Sequence, residues 1–232
     1  MKIRLKKIID YIFSKKSVAF RKGYIHFHKG KYPKLSDNPF KEGKKKYIHW
    51  HMGFLEAVEN TQYKKIKKVK MITTDKHIFF WREAFSQWHK SKFTNPIHNI
   101  EFNCAEQHMM WCKAMLFGDT ATAAKIMLKV EPRDHKALGR EVVGYNQKIW
   151  DENKYEIVCN TSMLKFTQNN KLLAMLLDTG NRTLVEASPK DPIWGIGMEE
   201  NEPGINDEAN WRGENLLGYA LTDTRDFIRN TL

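Results

Sequence analysis

Cysteine is scarce in this chain, with three in 232 residues, Cys104, Cys112 and Cys159, an odd set without the C-x-x-C spacing of a zinc site. That excludes a disulfide framework, and a chain of this length can bury a sizeable core without one. The three thiols are expected as small buried hydrophobes in a reducing compartment. Long apolar runs are missing too. None approaches the roughly 20 residues that a membrane-crossing helix needs, and Lys6, Lys7 and Asp10 interrupt the N-terminal stretch that most resembles a signal-peptide core. The expectation is a soluble, cytoplasmic protein with no transmembrane segment. Internal repeats and low-complexity tracts are also lacking. His26-x-His28 and His49-x-His51 have no carboxylate or cysteine at ligand spacing, so no metal is expected.

Negative charge is deficient in one region only. Residues 1–72 hold 20 Lys or Arg against 5 Asp or Glu, a formal +15, whereas residues 73–232 hold 19 against 22. A segment so basic attracts phosphate backbones or an anionic lipid surface, unless it is simply a solvated arm. The pattern divides the chain into a small basic helix-loop-helix module over residues 1–61, a basic linker over 62–72 and a larger domain over 73–232. In the module, Ile3, Leu5, Ile8, Ile9 and Phe13 lie among lysines as a rough amphipathic helix, and a second apolar helix runs from about Tyr47 to Glu59.

The larger domain reads as α+β and mainly helical, with a few short strands. An apolar run at Ile78–Trp81 and Thr183–Ala187 suit strands, and an aromatic-rich turn follows the first. Helical patterns cover 105–117, 120–129, 134–142, 146–158 and 169–177, with a last helix from about Asn215. Residues 105–117 leave few polar faces, which predicts a buried helix. Glu106 stands near its start. A carboxylate there suits the helix dipole, and it equally suits a catalytic acid held where water is scarce. Chemically able residues recur at turns beside the helices: Gln87, Trp88, Lys113, Arg140, Trp150, Glu186, Asp191, Trp194, Gly195 and Asn215. By pattern alone these divide evenly between core, caps and function.

FSQW, NCAEQHMMWCKAMLFGD, ALGREV, KFTQN, LVEASPKDPIWGIG and WRGENLLGYAL, in that order, resemble the NADAR family, whose members include YbiA-type N-glycosidases. The resemblance runs from about Ile78 to the C-terminus. It implies a YbiA-like fold and hydrolysis of an N-glycosidic bond between a (phospho)ribose and a base, with no cofactor. Known family substrates are riboflavin-pathway intermediates and, in other branches, ADP-ribose on guanine in nucleic acid. On that footing Glu106 and Asp191 are the catalytic candidates. Gln87, Trp88, Lys113, Arg140, Trp150, Trp194, Gly195 and Asn215 are the candidates for binding a ribosyl or ADP-ribosyl substrate. Asn215 suits a helix N-cap equally well. Two departures bear on substrate choice: His108, where an aromatic residue is usual, and the bulky Trp111. His108 is expected in the core. Around residues 15–60, Gly23, Asn38-Pro39-Phe40 and Trp50-x-x-Gly53-Phe54-x-x-Ala57 resemble the ribosome modulation factor family. That implies contact with the ribosome, RNA or DNA through residues 1–70. A third reading, from another class, is a non-enzymatic RNA or ribosome binder that senses a nucleotide.

Overall fold

The computed structural model describes residues 71–231; the expectations for the basic module, its histidines and most of the linker lie outside them. In chain order the elements are β1 (Ile72–Thr73), β2 (His77–Phe80), β3 (Lys90–Asn95), β4 (Ile100–Cys104), α1 (Ala105–Leu116), α2 (Thr120–Met127), α3 (Pro132–Arg140), α4 (Gln147–Thr167), α5 (Asn170–Asp178), β5 (Thr183–Glu186) and α6 (Leu216–Thr231). The fold is α+β and mainly helical, as the sequence predicts.

All four residues of β2 are buried, which suits the middle strand of a sheet. Its neighbours are β1, antiparallel, and β5, parallel, with Ile78 opposite Leu184 and Phe80 opposite Glu186. Phe79, Val185, Ala187, Ile196, Met198 and Ile205 form one apolar cluster. A second is aromatic, with Phe85 between Phe80 at 5.6 Å and Phe166 at 6.1 Å between ring centroids. Strands β3 and β4 form a separate antiparallel hairpin with an irregularity between Lys90 and Phe93.

Helix α1 is buried from Ala105 to Trp111 and again at Ala114, and packs against α2, α3, α4 and β4. Gly139 of α3 lets that helix approach closely, since a Cβ there would collide with the Met110 side chain. His108 is in the core, held by Asn95 Nδ2 at 3.0 Å and Thr161 Oγ1 at 2.7 Å, and burial pushes its pKa down to about 3. It packs the hairpin onto α1 and α4. None of the three cysteines forms a disulfide; Cys104 is buried and the other two partly so.

The open side of β5 is closed by residues leading into α6. Asn215 has a positive φ of 53° and no solvent exposure. Its Nδ2 donates to the Leu184 carbonyl and its Oδ1 accepts from the Glu186 N–H, each at 3.0 Å. Thr222 Oγ1 takes the Leu184 N–H at 3.1 Å. The segment 212–217 is laced by its backbone N–H groups to the carbonyls of Ile196, Pro192, Gly195, Ile193 and Trp194. The two Gly-rich motifs of the sequence thus bind each other.

Candidate functional site

Two loops leave the carboxyl ends of the parallel pair, residues 81–88 after β2 and 187–194 after β5. Ligands of parallel sheets bind at such ends. The N-terminus of α1 meets the first loop directly, for the Glu106 N–H donates to the Gln87 carbonyl at 3.0 Å. The residue preceding α1, Cys104, makes no side-chain cap, so a loop carbonyl serves one of the helix's otherwise unpaired amides.

The 81–88 loop is held from below by Lys165. Its side chain is 1% exposed, and its Nζ donates to the carbonyls of Ala84 at 2.7 Å and Ser86 at 2.8 Å. Burial lowers its pKa to about 7. Lys165→Met keeps the apolar stem and strands both carbonyls, each costing roughly 1–3 kcal/mol when buried and unpaired. The expected result is a fall in melting temperature of about 10 °C, with the indole fluorescence of Trp88 altered. A wild-type melt would show that the amine does not hold the loop.

Glu106 is 3% exposed and its Oε1 is buried without a partner. The Trp88 side chain supplies a hydrogen bond to its carboxylate, and Lys136, Asp191 and Arg140 act on it electrostatically. Burial raises its pKa from the ordinary 4.5 to about 7, with Asp191 adding to the rise and Lys136, the Trp88 bond and Arg140 opposing it. The helix dipole alone does not keep this acid ionised. Glu186, at the end of β5, shares the environment. Part of the residue reaches solvent, yet Oε2 is buried and unpartnered. Burial, then Asp191 and Glu106, push its pKa up to about 8, against Lys136. Gln87 adds a third buried atom without a partner, the donor Nε2. Buried polar groups are usually paired, so open atoms on Glu106, Glu186 and Gln87 suit a ligand.

Both acids are easier to protonate in the folded chain than in the unfolded one. Their contribution to stability is complete below pH 4.5 and is lost as pH rises through about 7 for Glu106 and about 8 for Glu186. Melting temperature should therefore decline from pH 5 to pH 8. Glu106→Gln should melt higher than wild type at pH 8, by on the order of 2 kcal/mol, and the gap should close at pH 5. Equal melts at pH 8 would refute the strained carboxylate.

The other predicted residues divide. Trp88 is 46% exposed, a half-open aromatic face beside Glu106. Arg140 is exposed at the end of α3. Lys113 donates to the Gly139 carbonyl at 2.7 Å and lies over the rings of Tyr145 at 4.3 Å and Trp150 at 5.4 Å. Trp150 is 8% exposed and forms a wall of that corner. Asp191 has both oxygens engaged: Oδ1 accepts from the N–H groups of Ile193 and Trp194, and Oδ2 faces Lys136 Nζ at 3.4 Å. Trp194 is half-buried with its backbone fixed by that turn.

Two assignments need correction. Asn215 has both halves of its amide committed to β5, so it offers nothing to a base and instead positions Glu186. Gly195 is buried in the turn; a Cβ would meet the Glu186 carbonyl at 2.8 Å, and its own carbonyl receives the Asn215 N–H. Its lack of a side chain serves packing rather than a ribose. Sequence reasoning missed Lys136, whose spacing four residues before Arg140 on α3 was the available signal. It also named Glu186 without giving it a role.

A family model described as the NADAR domain matches residues 79–229. The chain is 43% identical over 164 residues to N-glycosidase R617 of Acanthamoeba polyphaga mimivirus, covering 66% of this chain and 96% of that one. It is 30% identical over 112 residues to the chloroplastic riboflavin biosynthesis protein PYRR of Zea mays, covering 47% of this chain and 16% of that one. Among solved structures, the NMR structure of the E. coli protein YbiA superposes with a TM-score of 0.56 at 22% identity, over 71% of this chain and 92% of that chain. That last likeness is one of fold.

Proposed function

From the premise that the chain belongs to the NADAR family, we propose that this N-glycosidase works through Glu106, acting on a ribosyl bond with a phosphate held nearby. The observation that carries the reading is a buried carboxylate with one free oxygen, flanked by an indole and by Lys136 and Arg140. Cleaving a ribose–nitrogen bond builds positive charge on the sugar in an oxocarbenium-like transition state. The ionised Glu106 stabilises that charge and takes a proton from the attacking water.

The half-exposed Trp88 presents a face on which the departing base can stack. Trp194 supplies a second aromatic surface, and the exposed Arg140 a planar fork for phosphate. Lys113 extends the cationic wall toward Trp150. Asp191, with its oxygens occupied, shapes the turn and the local field. The substrate is a ribosylamino-pyrimidine phosphate of the riboflavin route, a reading supported by the similarity to the maize protein. The openness of Trp88 and Arg140 favours a second reading, removal of ADP-ribose from guanine in a nucleic acid. There the basic residues 1–70 would retain the polyanion and raise its local concentration. Among the described residues no helix is long and apolar enough to cross a membrane. We place the reaction in the cytoplasm.

The test is incubation of the full chain with a ribosylamino-pyrimidine phosphate and, separately, with an ADP-ribosylated guanine oligonucleotide, following release of ribose phosphate or ADP-ribose by chromatography. Release from the first supports the metabolic reading and from the second the nucleic-acid reading. No release from either would overturn both.

A further inference from the structure

Glu186 is chemically loaded and has no part in the reaction so far described. It is the last residue of β5, opposite Phe80 in the parallel register, so its side chain leaves the sheet where the two catalytic loops begin. Its backbone is fixed at every polar atom. The N–H goes to Asn215 Oδ1, and the carbonyl accepts from Ser188 and Ile196 N–H groups, each at 2.9 Å. A fully buried asparagine in a left-handed conformation fixes Leu184 and Glu186 together, and so aims the Glu186 side chain. What is aimed is a carboxyl with a buried, unpartnered Oε2. A merely structural carboxyl at this depth would find a donor, and Lys136 instead pairs with Asp191.

We propose that Glu186 is a second catalytic carboxyl of this site, the acid that protonates the departing nitrogen of the substrate while Glu106 serves as the base. The inference rests on the glycosidase reading of Glu106. The carbon–nitrogen bond breaks with its electron pair on nitrogen, and nitrogen receives the proton of the Glu186 carboxylic acid. Water bonds to the anomeric carbon and yields its proton to the Glu106 carboxylate. A solvent proton returns to Glu186 and one leaves Glu106, which closes the cycle with water as the sole co-reactant. The groups facing Glu186 are Asp191 from the 187–194 loop, Glu106 from α1 and Lys136 from α3. Two carboxylates against one ammonium, in a poorly hydrated site, raise Glu186 above the ordinary carboxylate range and favour its protonated form, which an acid needs. Glu106 has Lys136, Trp88 and Arg140 to favour its ionised form, which a base needs.

The experiment compares wild type, Glu186→Gln and Glu106→Gln on whichever of the two substrates the wild type cleaves, as kcat and KM between pH 5 and 10. Wild type should show an alkaline limb near pH 8. Glu186→Gln should lose at least ~100-fold in kcat with KM changed less than about threefold, and its alkaline limb should vanish. Melting at or above the wild-type temperature at pH 8 would accompany this. An unchanged kcat, or a loss confined to KM with the limb retained, would overturn the proposal. If Glu106→Gln alone is inactive, the role of Glu106 stands and that of Glu186 falls; if wild type cleaves neither substrate, both fall. Should Glu186→Gln not fold, Glu186→Asp carries the test. It keeps an acid one methylene short, so a lowered kcat with the limb retained supports the role and an undiminished kcat overturns it.

Discussion

Glu106→Gln should reduce kcat for N-glycoside hydrolysis by about a thousandfold, with KM changed by less than about threefold. The amide has the volume of the acid, and its oxygen can still accept the Trp88 bond. It can neither take a proton from water nor carry negative charge toward the sugar. Loss of general-base catalysis alone is worth roughly 100-fold or more, and loss of electrostatic stabilisation in a poorly hydrated site adds to it. Both losses arise in the transition state, so they appear in kcat. The pH profile gives an independent check. A base with a pKa of about 7 must be ionised to work, so wild-type kcat should rise with pH through that region until the alkaline limb of Glu186 sets in. The variant's residual rate should lack that rise. A variant within tenfold of wild type would remove Glu106 from the chemistry.

Gly218→Ala should be the most destabilising small substitution in the described domain. The added Cβ would collide with the Leu184 carbonyl and with both polar atoms of the Asn215 amide. These are backbone and a fully buried side chain, so nothing flexible can yield. Displacing them breaks the bonds that close β5 and shifts Glu186. The expected cost is roughly 3 kcal/mol or more, seen as a fall in melting temperature of about 10 °C. Activity should fall at temperatures where the protein is still folded, because a carboxyl of the site moves. Gly118→Ala is the control. Nothing lies within 4 Å of its Cβ and only its φ of +74° resists a side chain, so about 1 kcal/mol is expected. Similar melts for the two variants would mean that α6 and β5 are less tightly joined than described.

Helices α1, α2, α3, α5 and α6 were legible, α1 because it has few polar faces, and the buried runs of β2 and β5 were legible as strands. The β3–β4 hairpin was not. Its inward positions on β3 are Ser91, Phe93 and Asn95, so two of three buried residues are polar and the alternation is hidden. Asn95 is buried because it meets His108, a partner that no local pattern announces. Helix α4 runs to Thr167, well past the predicted Val158. The polar residues of 159–167 look like a break, yet Thr161 bonds His108 and Lys165 bonds the Ala84 and Ser86 carbonyls of the 81–88 loop. For the site, family resemblance supplied Glu106, Trp88 and Arg140. Lys136 and Glu186 acquire meaning only through Asp191 and Glu106, distant in sequence, and the true role of Asn215 depends on a strand 29 residues before it. Long-range electrostatics and backbone-directed side chains leave little trace in local periodicity.

The seam between β5 and α6 has a further consequence. Among the described residues β5 is the last strand of its sheet, and a last strand normally offers a row of free amides and carbonyls that a neighbouring chain can extend. Here the outward-facing groups of Leu184 and Glu186 are already consumed by Thr222, Asn215, Ser188 and Ile196. One asparagine amide, flat and carrying a donor and an acceptor side by side, stands in for the next strand's peptide group. The substitution Asn215→Leu would uncover the Leu184 carbonyl and the Glu186 N–H, and the visible outcome would be self-association of folded molecules through strand pairing, a hazard that the native chain suppresses with this amide beside the bonds of Thr222, Ser188 and Ile196.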